Sequence, residues 1–283
     1  MSFVIRPYMQ EDTEETDVLL RAAYRTTYGR KDNLRRYLEI PDCCALVAEL
    51  DDHVAGFGGI IDFGPFSYIG LMAASPAVQR RGIGKSILDG LLKWASDRKC
   101  PTVLLSASAA GVRLYEKTGF IHADRTDLLM RKGTRTPNRR ESIPVGALKE
   151  REFPDLISFD TPFFGAGRAL LLRSYYEDDP SRFLVARDAL GQIKGYLVAQ
   201  ERVIGPWVAS DPISVDALLS KALQFSYVDT PTVFVSGSNK ACLALLSGYG
   251  FELQRTLSYM YLGKEIQRAR ATAIFGEATL GFG

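Results

Sequence analysis

Apolar residues recur at helical spacing in the middle of the first half of the chain. The positions are Ile83, Ile87, Leu88, Leu91, Leu92 and Ala95. This spacing predicts an amphipathic helix. An uninterrupted apolar run from Tyr68 to Ala74 precedes it and predicts a strand. The sequence therefore predicts that a strand leads into a tight loop, Gln79 to Ser86, from which the helix begins.

Other elements follow from the same patterns. Alternation predicts a first strand over Phe3 to Met9, and Asp12 or Thr13 is suited to cap the helix that follows. A second helix is expected from Lys31 to Ile40, ended by Pro41. Two strands, Cys44 to Leu50 and His53 to Phe63, flank the hairpin signal Asp51-Asp52, and a further strand is expected over Thr102 to Ser106.

The loop before the amphipathic helix has the character of an anion site. Gly82 and Gly84, one residue apart, let the backbone approach a ligand and turn successive N–H groups towards it. The helix start adds the positive end of its dipole. Phosphate is the anion that this arrangement suits best, and the plain alternative is a surface turn that contains glycines.

Two common phosphate loops do not match. A Walker A loop needs a glycine where this chain has Gln79, which disfavours a nucleotide-hydrolysing enzyme. A dinucleotide fingerprint needs a third glycine where Ile87 stands. What remains, Gln-x-x-Gly-x-Gly between a strand and a helix, resembles the acyl-CoA pyrophosphate loop of the GNAT N-acetyltransferase superfamily.

A second stretch, SASAAGVRLYEKTGF, strengthens this resemblance. It is similar to the helix after the fifth GNAT strand at Leu114, Tyr115, Glu116, Lys117, Gly119 and Phe120. It departs from the family at Ser108, where asparagine is frequent, and at Gly111, where alanine is frequent. These departures weaken one side-chain contact to the cofactor arm, but not the resemblance.

The resemblance implies an α/β (α+β) fold of tandem GNAT domains, each a mixed, mostly antiparallel sheet flanked by helices, with splayed central strands. It also implies an acetyl-CoA site. The residues expected to bind acetyl-CoA are Met72, Ala73, Ala74, Gln79, Arg80, Arg81, Gly82, Ile83, Gly84, Lys85, Ser86 and Ser108. In the family the first two helices line the acceptor cleft, and here they carry Tyr24, Tyr28 and Tyr37.

Tyr115 is the candidate general acid. A phenol with an ordinary pKa of ~10 can protonate a departing thiolate whose thiol has a pKa of ~8.5. Backbone N–H groups along Met72 to Ala74 are expected to polarise the thioester carbonyl. The base is less evident: Glu49 and Asp62, at strand ends, are the candidates, with the carboxylate of Gly283 a further one if the tail reaches the cleft.

The second half is a weak repeat of the first. Asn239 to Phe251 parallels Ser108 to Phe120, but Leu246 stands where Tyr115 would be. Pro212 to Val233 spans 21 positions against 27 for Pro76 to Val103, and the missing six equal the length of Gln79 to Gly84. We therefore expect a catalytic domain over 1–133, a polar, basic linker over 134–142 and a degenerate domain with a packed tail over 143–283.

Segments of the second half, Asp160 to Arg168 and Gly205 to Ala209, look like the second domain of bacterial two-domain GNAT proteins.

The chain has 283 residues, 46% of them hydrophobic and 24% charged, as in an ordinary globular protein. No signal peptide or membrane-length run is evident, so we expect a cytoplasmic protein. The four cysteines and two histidines lack metal-ligand spacing, so free thiols and no metal site are expected.

The sequence thus predicts an acetyltransferase that uses acetyl-CoA and a primary amine of a small molecule or protein, in a ternary complex. We expect neither nucleic acid nor membrane among its partners, and we expect the protein to be a monomer or homodimer. The net charge of +2 by itself argues neither for nor against binding of nucleic acid. The alternative is a non-catalytic acyl-CoA sensor or scaffold, which stays open because no base is obvious.

Overall fold

The computed structural model describes residues 3–78, 80–134, 143–266 and 268–283. Gln79 and most of the expected linker, 135–142, lie outside the described residues. The α-helices are α1 (Thr13–Tyr24), α2 (Lys31–Glu39), α3 (Ile83–Asp97), α4 (Val112–Lys117), α5 (Phe153–Phe164), α6 (Ala169–Asp178), α7 (Pro212–Ala222) and α8 (Lys240–Gly248).

The strands of the first half are β1 (Val4–Pro7), β2 (Cys43–Leu50), β3 (His53–Asp62), β4 (Ser67–Ala74), β5 (Thr102–Ala107) and β6 (Ile121–Arg131). Those of the second half are β7 (Val145–Ala147), β8 (Phe183–Arg187), β9 (Ile193–Ala199), β10 (Ile204–Ala209), β11 (Thr232–Ser236), β12 (Phe251–Gly263) and β13 (Ile274–Gly276). The fold class expected from the sequence is confirmed: mixed α/β with two sheets.

Local signals located most of these elements to within a few residues. Asp51 and Asp52 form the β2–β3 turn with φ of 52° and 61°, the left-handed conformation that a two-residue hairpin requires. Helix α3 buries Ile83, Ile87, Leu88, Leu91 and Ala95, as its periodicity predicted. Asp12 precedes α1 but does not cap it, because its carboxylate accepts from Arg6 and from the Met9 N–H.

The larger sheet combines strands from both halves. Its order is β1-β2-β3-β4-β5-β12-β6-β11, so β12 of the second half lies between β5 and β6 of the first. Strand β12 pairs antiparallel with both neighbours, for example Ser258 with Ala107 and Ser258 with Arg125. The two halves therefore exchange strands rather than pack as separate bodies.

The central strands β4 and β5 part along their length. They are parallel and pair only at Ser67, Tyr68 and Ile69 of β4. From Gly70 onward the edge of β4 that faces β5 has no strand partner among the described residues. This splay leaves an opening in the middle of the sheet, close to where β4 leads into the loop before α3.

The second sheet, β13-β10-β9-β8-β7, ends in a strand from the C-terminal segment. Val203, directly before β10, forms an isolated bridge with Thr232 of β11, and no ladder joins β10 to β11 in the described residues, so these two strands also part. Strand β13 pairs antiparallel with β10, and the Glu277 N–H donates to the Phe234 carbonyl of β11 at 2.8 Å. The segment after Lys264 thus packs into the fold, as its apolar composition predicted.

Candidate active site

A cavity of about 100 Å³ lies where β4 and β5 part. The cavity is lined by residues of α1, β4, β5 and α4, by residues of the loops after α1 and β5, and by residues of the second half. Its lining is Tyr24, Arg30, Ile69, Gly70, Leu71, Met72, Leu105, Ser106, Ser108, Gly111, Tyr115, Arg255, Leu257 and Leu280. Four residues singled out from the sequence therefore meet in one place: Tyr24, Met72, Ser108 and Tyr115.

Tyr115 reaches this cavity from helix α4. Its side chain is 6% exposed and packs edge-on against Phe120 at 5.7 Å between ring centroids. Burial raises the pKa of the Tyr115 phenol well above its ordinary value, so the hydroxyl stays protonated at neutral pH. A methyl group at Gly111 would lie 3.1 Å from Cε2 of this ring, so the glycine makes room for it.

The edge of β4 is irregular where it lines the cavity. Leu71 has φ of 54°, and the β3–β4 register shifts between the pairs Phe57–Ala73 and Gly59–Gly70. A bulge of this kind redirects backbone groups out of the ladder. The Tyr24 hydroxyl donates to the Met72 carbonyl at 3.1 Å, which ties α1 to this edge.

The glycine loop sits at the end of β4 and at the start of α3. Gly82 is the residue before the helix, with φ of 86° and open space where a Cβ would be. The first N–H groups of a helix have no intrahelical partner, and here the first recorded helix bond is from Ser86 N–H to the Gly82 carbonyl. A methyl group at Gly84 would lie 3.7 Å from Cδ2 of Leu114, so the loop adjoins the helix that carries Tyr115.

The loop side chains supply positive charge. Arg80 and Arg81 are exposed, and within the described ranges neither has a recorded ion pair. Lys85 pairs with Asp89 one helical turn later.

Four of the other residues expected to bind the cofactor are less exposed. Ile83 is buried against the β3 face, and Ser86 is half-buried. Ala73 and Ala74 are half-buried along β4. Gln79 lies outside the described residues.

The two candidate bases lie elsewhere. Glu49 accepts from Arg6 Nε at 2.6 Å on β2, a strand separated from β4 by β3. Asp62 accepts from Arg98 Nε at 2.9 Å at the end of β3 that pairs with Ser67, away from the splay. Neither side chain lines the cavity.

The second half contributes three lining residues that sequence reasoning did not select. Arg255 and Leu257 come from the exchanged strand β12, and Leu280 comes from the C-terminal segment. Arg30, between α1 and α2, was also missed. No local pattern identifies them, because each is placed by long-range pairing or by a loop without periodicity.

The corresponding opening of the second half is filled. Strand β13 lies between β10 and β11, held further by the Asn239 amide, which donates to the Ile274 carbonyl at 3.0 Å. Asp211 precedes α7, and its carboxylate accepts from the Ser214 N–H, so an anion already occupies this helix start. Leu246, in the place of Tyr115, is fully buried.

A larger cavity of about 370 Å³ adjoins the first, because Arg30 lines both. It lies between α2, α6 and the β9–β10 turn. Its charged residues are Arg30, Asp32, Arg36, Asp178, Asp179, Arg182, Glu201 and Arg202. Tyr28 lines this larger cavity and Tyr24 the smaller one, whereas Tyr37 is in the core.

No helix in 3–78, 80–134, 143–266 or 268–283 is both long and apolar enough to cross a bilayer. The same part of the chain contains no group of three or more His, Cys, Asp or Glu side chains placed to hold a metal ion. The four cysteines are free thiols.

Comparison with solved structures supports one architecture. A putative acetyltransferase from Pyrococcus horikoshii shares 26% identity, with a TM-score of 0.85 over 99% of this chain and 96% of that one. A GCN5-related N-acetyltransferase from Sphaerobacter thermophilus has a TM-score of 0.70 at 15% identity, over 92% and 95% of the two chains. A tandem GNAT protein from the clavulanic acid biosynthesis pathway has a TM-score of 0.63 at 14% identity, over 93% and 98%. The last two show the fold alone.

Family models match each half. The model described as acetyltransferase (GNAT) family matches residues 10–120, and one described as acetyltransferase (GNAT) domain matches residues 156–276. No curated protein matches the chain. The two matches, together with the tandem fold, show that the chain belongs to the GNAT acetyltransferase family, a family of acyltransferases, and has two GNAT domains.

Proposed function

We propose that this protein is an acetyl-CoA-dependent N-acetyltransferase that transfers an acetyl group to a primary amine by direct attack in a ternary complex. The observation that carries the proposal is the position of Tyr115, whose protonated phenol lines the cavity at the splay of β4 and β5. Burial alone makes the phenol a weaker acid, but the same burial disfavours the charged thiolate, so the phenol can still give its proton to this leaving group.

The residues of the first half fit the cofactor. The open left-handed position of Gly82 and the free N–H groups at the start of α3 suit its pyrophosphate. Arg80 and Arg81 would add charge-assisted contacts to the phosphates. The unpaired edge of β4, from Gly70 to Ala74, suits the amide groups of the pantetheine arm, with Ser108 across the opening.

The reaction requires few groups from the protein. Bound acetyl-CoA would supply the activated acyl group. The neutral amine would attack the carbonyl carbon, the carbon–sulfur bond would break, and Tyr115 would give its proton to the departing thiolate. The nitrogen loses one proton as the amide forms, and this proton would return through water to the Tyr115 phenolate. N–H groups of the bulged β4 edge would stabilise charge on the carbonyl oxygen, and the irregular backbone at Leu71 supports this role. Correct positioning contributes several kcal/mol to lowering the barrier.

The amine must lose a proton before attack. Among the described residues the cavity lining contains no carboxylate, and two arginines, Arg30 and Arg255, belong to it. Nearby cations disfavour the protonated form of an amine and so lower its pKa. We propose that the amine enters largely neutral, with its proton lost to water, rather than to a carboxylate that touches it.

We further propose that only the first domain, within 1–133, binds the cofactor, and that 143–283 is a degenerate domain. The filled opening between β10 and β11 and the carboxylate at the start of α7 support this proposal. The second domain would then act by completing the sheet and by walling the cavity through Arg255, Leu257 and Leu280.

The first test is thermal unfolding with acetyl-CoA, with ATP as the control ligand. At about 100 times Kd a ligand adds about 2.7 kcal/mol to the free energy of unfolding, which corresponds to several degrees in Tm. Gly82→Glu should abolish this shift. Gly191→Glu is the matched control, because Gly191 also has a positive φ, 81°, and open surroundings, but lies in the second domain. The absence of any shift with the native chain would contradict the proposal.

The second test separates the enzyme from a non-catalytic acyl-CoA sensor. Tyr115→Phe should lower kcat for acetyl transfer by about 10²-fold, with the Kd for acetyl-CoA unchanged. A protein that binds acetyl-CoA but acetylates no amine before or after the substitution would be the sensor.

A further inference from the structure

We infer that the acceptor is an amine that carries an anionic group, a carboxylate or a phosphate, and that Arg30 and Arg255 bind this group. The inference rests on the proposed function and names the chemical class of its acceptor. It also gives the exchanged strand β12 a role in the site, since Arg255 belongs to the second domain.

Arg30 has an incomplete set of partners. Its guanidinium lies over the rings of Tyr28, at 4.7 Å, and Tyr24, at 5.8 Å, and one terminal nitrogen donates to the Tyr28 hydroxyl at 3.3 Å. Its Nε is buried and has no hydrogen-bond partner in the described structure. A buried donor on a cation is costly to leave unpaired, and a bound anion would satisfy it.

Arg255 is an exposed cation at the mouth of the same cavity. Strand β12 pairs with β5 as far as Ser258 and Ala107, so residue 255 lies beyond the end of that ladder. The register against β6 shifts between Leu253 and Arg255, and such a bulge redirects a side chain. Within the described ranges, no carboxylate is recorded within ion-pair distance of Arg255.

The balance of charge selects the class of acceptor. In the part of the chain that the structure describes, the cavity lining has two arginines and no aspartate or glutamate. Two cations without a counter-charge repel a third, so a polyamine or a lysine side chain flanked by basic residues would bind poorly. An acceptor with a carboxylate or phosphate would neutralise the site, and arginine suits both groups through paired N–H donors. The adjoining 370 Å³ cavity, which shares Arg30, gives room for the rest of the acceptor.

The phosphates of the cofactor are the competing anions. The loop from Arg80 to Lys85 and the start of α3 provide for them at the end of β4, whereas Arg30 and Arg255 face the region of Tyr115 and Met72. Measurements on protein saturated with CoA or acetyl-CoA therefore separate the two anion sites.

The experiment compares matched acceptors on the full chain with saturating acetyl-CoA. The pairs are L-phenylalanine with L-phenylalaninamide and phosphoethanolamine with ethanolamine, and cadaverine is the dicationic probe. We expect kcat/KM for the anionic member to exceed that of the neutral member at least about 10-fold in one pair. The amide has the less basic amine, so a preference for the acid does not arise from amine protonation.

Variants assign the preference to the two arginines. Arg30→Gln and Arg255→Gln should each bring the anionic-to-neutral ratio towards one, and Arg255→Lys should retain part of it. Arg151→Gln, at an exposed arginine of the second domain outside both cavities, is the matched control and should leave the ratio unchanged. A native preference for neutral or dicationic amines, or a ratio that survives both glutamine substitutions, would overturn the inference.

If the native protein acetylates none of these amines, a binding measurement tests whether Arg30 and Arg255 bind an anion. Inorganic phosphate titrated into CoA-saturated protein should raise Tm, and Arg30→Gln and Arg255→Gln should weaken that effect relative to Arg151→Gln. Equal effects in all three variants would overturn the inference. Failure of the proposed function is distinguishable, because CoA and acetyl-CoA would then give no stabilisation before phosphate is added.

Discussion

The Tyr37 hydroxyl donates a 2.7 Å hydrogen bond to the carbonyl of Gly281, a residue 244 positions later in the chain. Both groups are buried, and the Tyr37 ring also packs against Phe282 at 4.7 Å between centroids. Burial raises the pKa of Tyr37 well above its ordinary value, so this donor keeps its proton across the usual pH range. The contact fastens the C-terminal segment, including Leu280 of the cavity wall, to helix α2 of the first domain.

Tyr37→Phe removes this bond and leaves the Gly281 carbonyl buried without its partner. We expect the free energy of unfolding to fall by about 1–3 kcal/mol, measured by urea denaturation. Tyr176→Phe is the control, because Tyr176 is a half-buried tyrosine for which only ring contacts are recorded. An equal loss in both variants would mean that the hydroxyl of Tyr37 contributes nothing specific.

Gly70→Ala tests the contact between β4 and the C-terminal segment. A methyl group at this position would lie 2.4 Å from backbone atoms of Gly281, too close for either chain to remain in place. We expect a loss of about 1–3 kcal/mol in stability, with increased protease cleavage after Lys264. Gly146→Ala, in β7, is the matched strand substitution, since its methyl would meet only Arg187 at 3.8 Å. Unchanged protease resistance in Gly70→Ala would contradict the described docking.

Gly111→Ala introduces the residue that is frequent in the family at this position, beside Tyr115. The added methyl would lie 3.1 Å from the phenol ring, which must move by a few tenths of an ångström. Because proton transfer depends on position, we expect kcat for acetyl transfer to fall several-fold, with the Kd for acetyl-CoA retained. Gly167→Ala, at a glycine with no atom within 4 Å of the added methyl, should leave kcat unchanged.

Glu277 makes stability depend on pH. Burial by itself would raise the pKa of Glu277, but Arg268 and Arg270 outweigh it and hold this pKa below its ordinary value. The carboxylate therefore contributes stability that is complete above the unfolded-state pKa of ~4.3 and is lost as pH falls below it.

The free energy of unfolding, measured by denaturation at several pH values between 7 and 3.5, tests this contribution of Glu277 to stability. Glu277→Gln should be less stable than the native chain at pH 7, and the difference should shrink as the solution is acidified. Glu265→Gln, at an exposed position, is the control and should follow the native profile. A constant difference for Glu277→Gln across the range would show that its charge is not what stabilises the fold.

The Glu277 cluster also shows why the two domains do not separate. Arg270 donates to Glu277 at 2.7 Å and to Asp124 of β6 at 3.1 Å, so residues of both domains share one buried network. Asp124 in turn accepts from Ser238 of the second domain at 2.9 Å. Removal of Arg270 would leave Glu277 with Arg268 and Asp124 with the hydroxyls of Ser236 and Ser238, so each carboxylate would lose part of its compensation on burial.

The sequence by itself determined those features that depend on neighbours along the chain. The 3.6-residue period located α3, Asp51-Asp52 located a hairpin, and the motif around Leu114 and Tyr115 identified the family. Each is a local property, because helix amphipathicity and turn conformation are set within a few residues. The choice of Tyr115, Met72 and Ser108 as site residues stays a prediction, although the fold brings them to one cavity.

The tertiary structure alone decided which distant segments meet. The apolar residues of β5, β6 and β12 identify these segments as strands but not their neighbours, so nothing local says that β12 inserts between the other two. The same holds for β13, which fills the second opening, and for Arg30 and Arg255, which line the first. Strand pairing and cavity lining depend on packing over hundreds of positions, and a hydrophobic period of two records only which face is buried, not which strand is the neighbour.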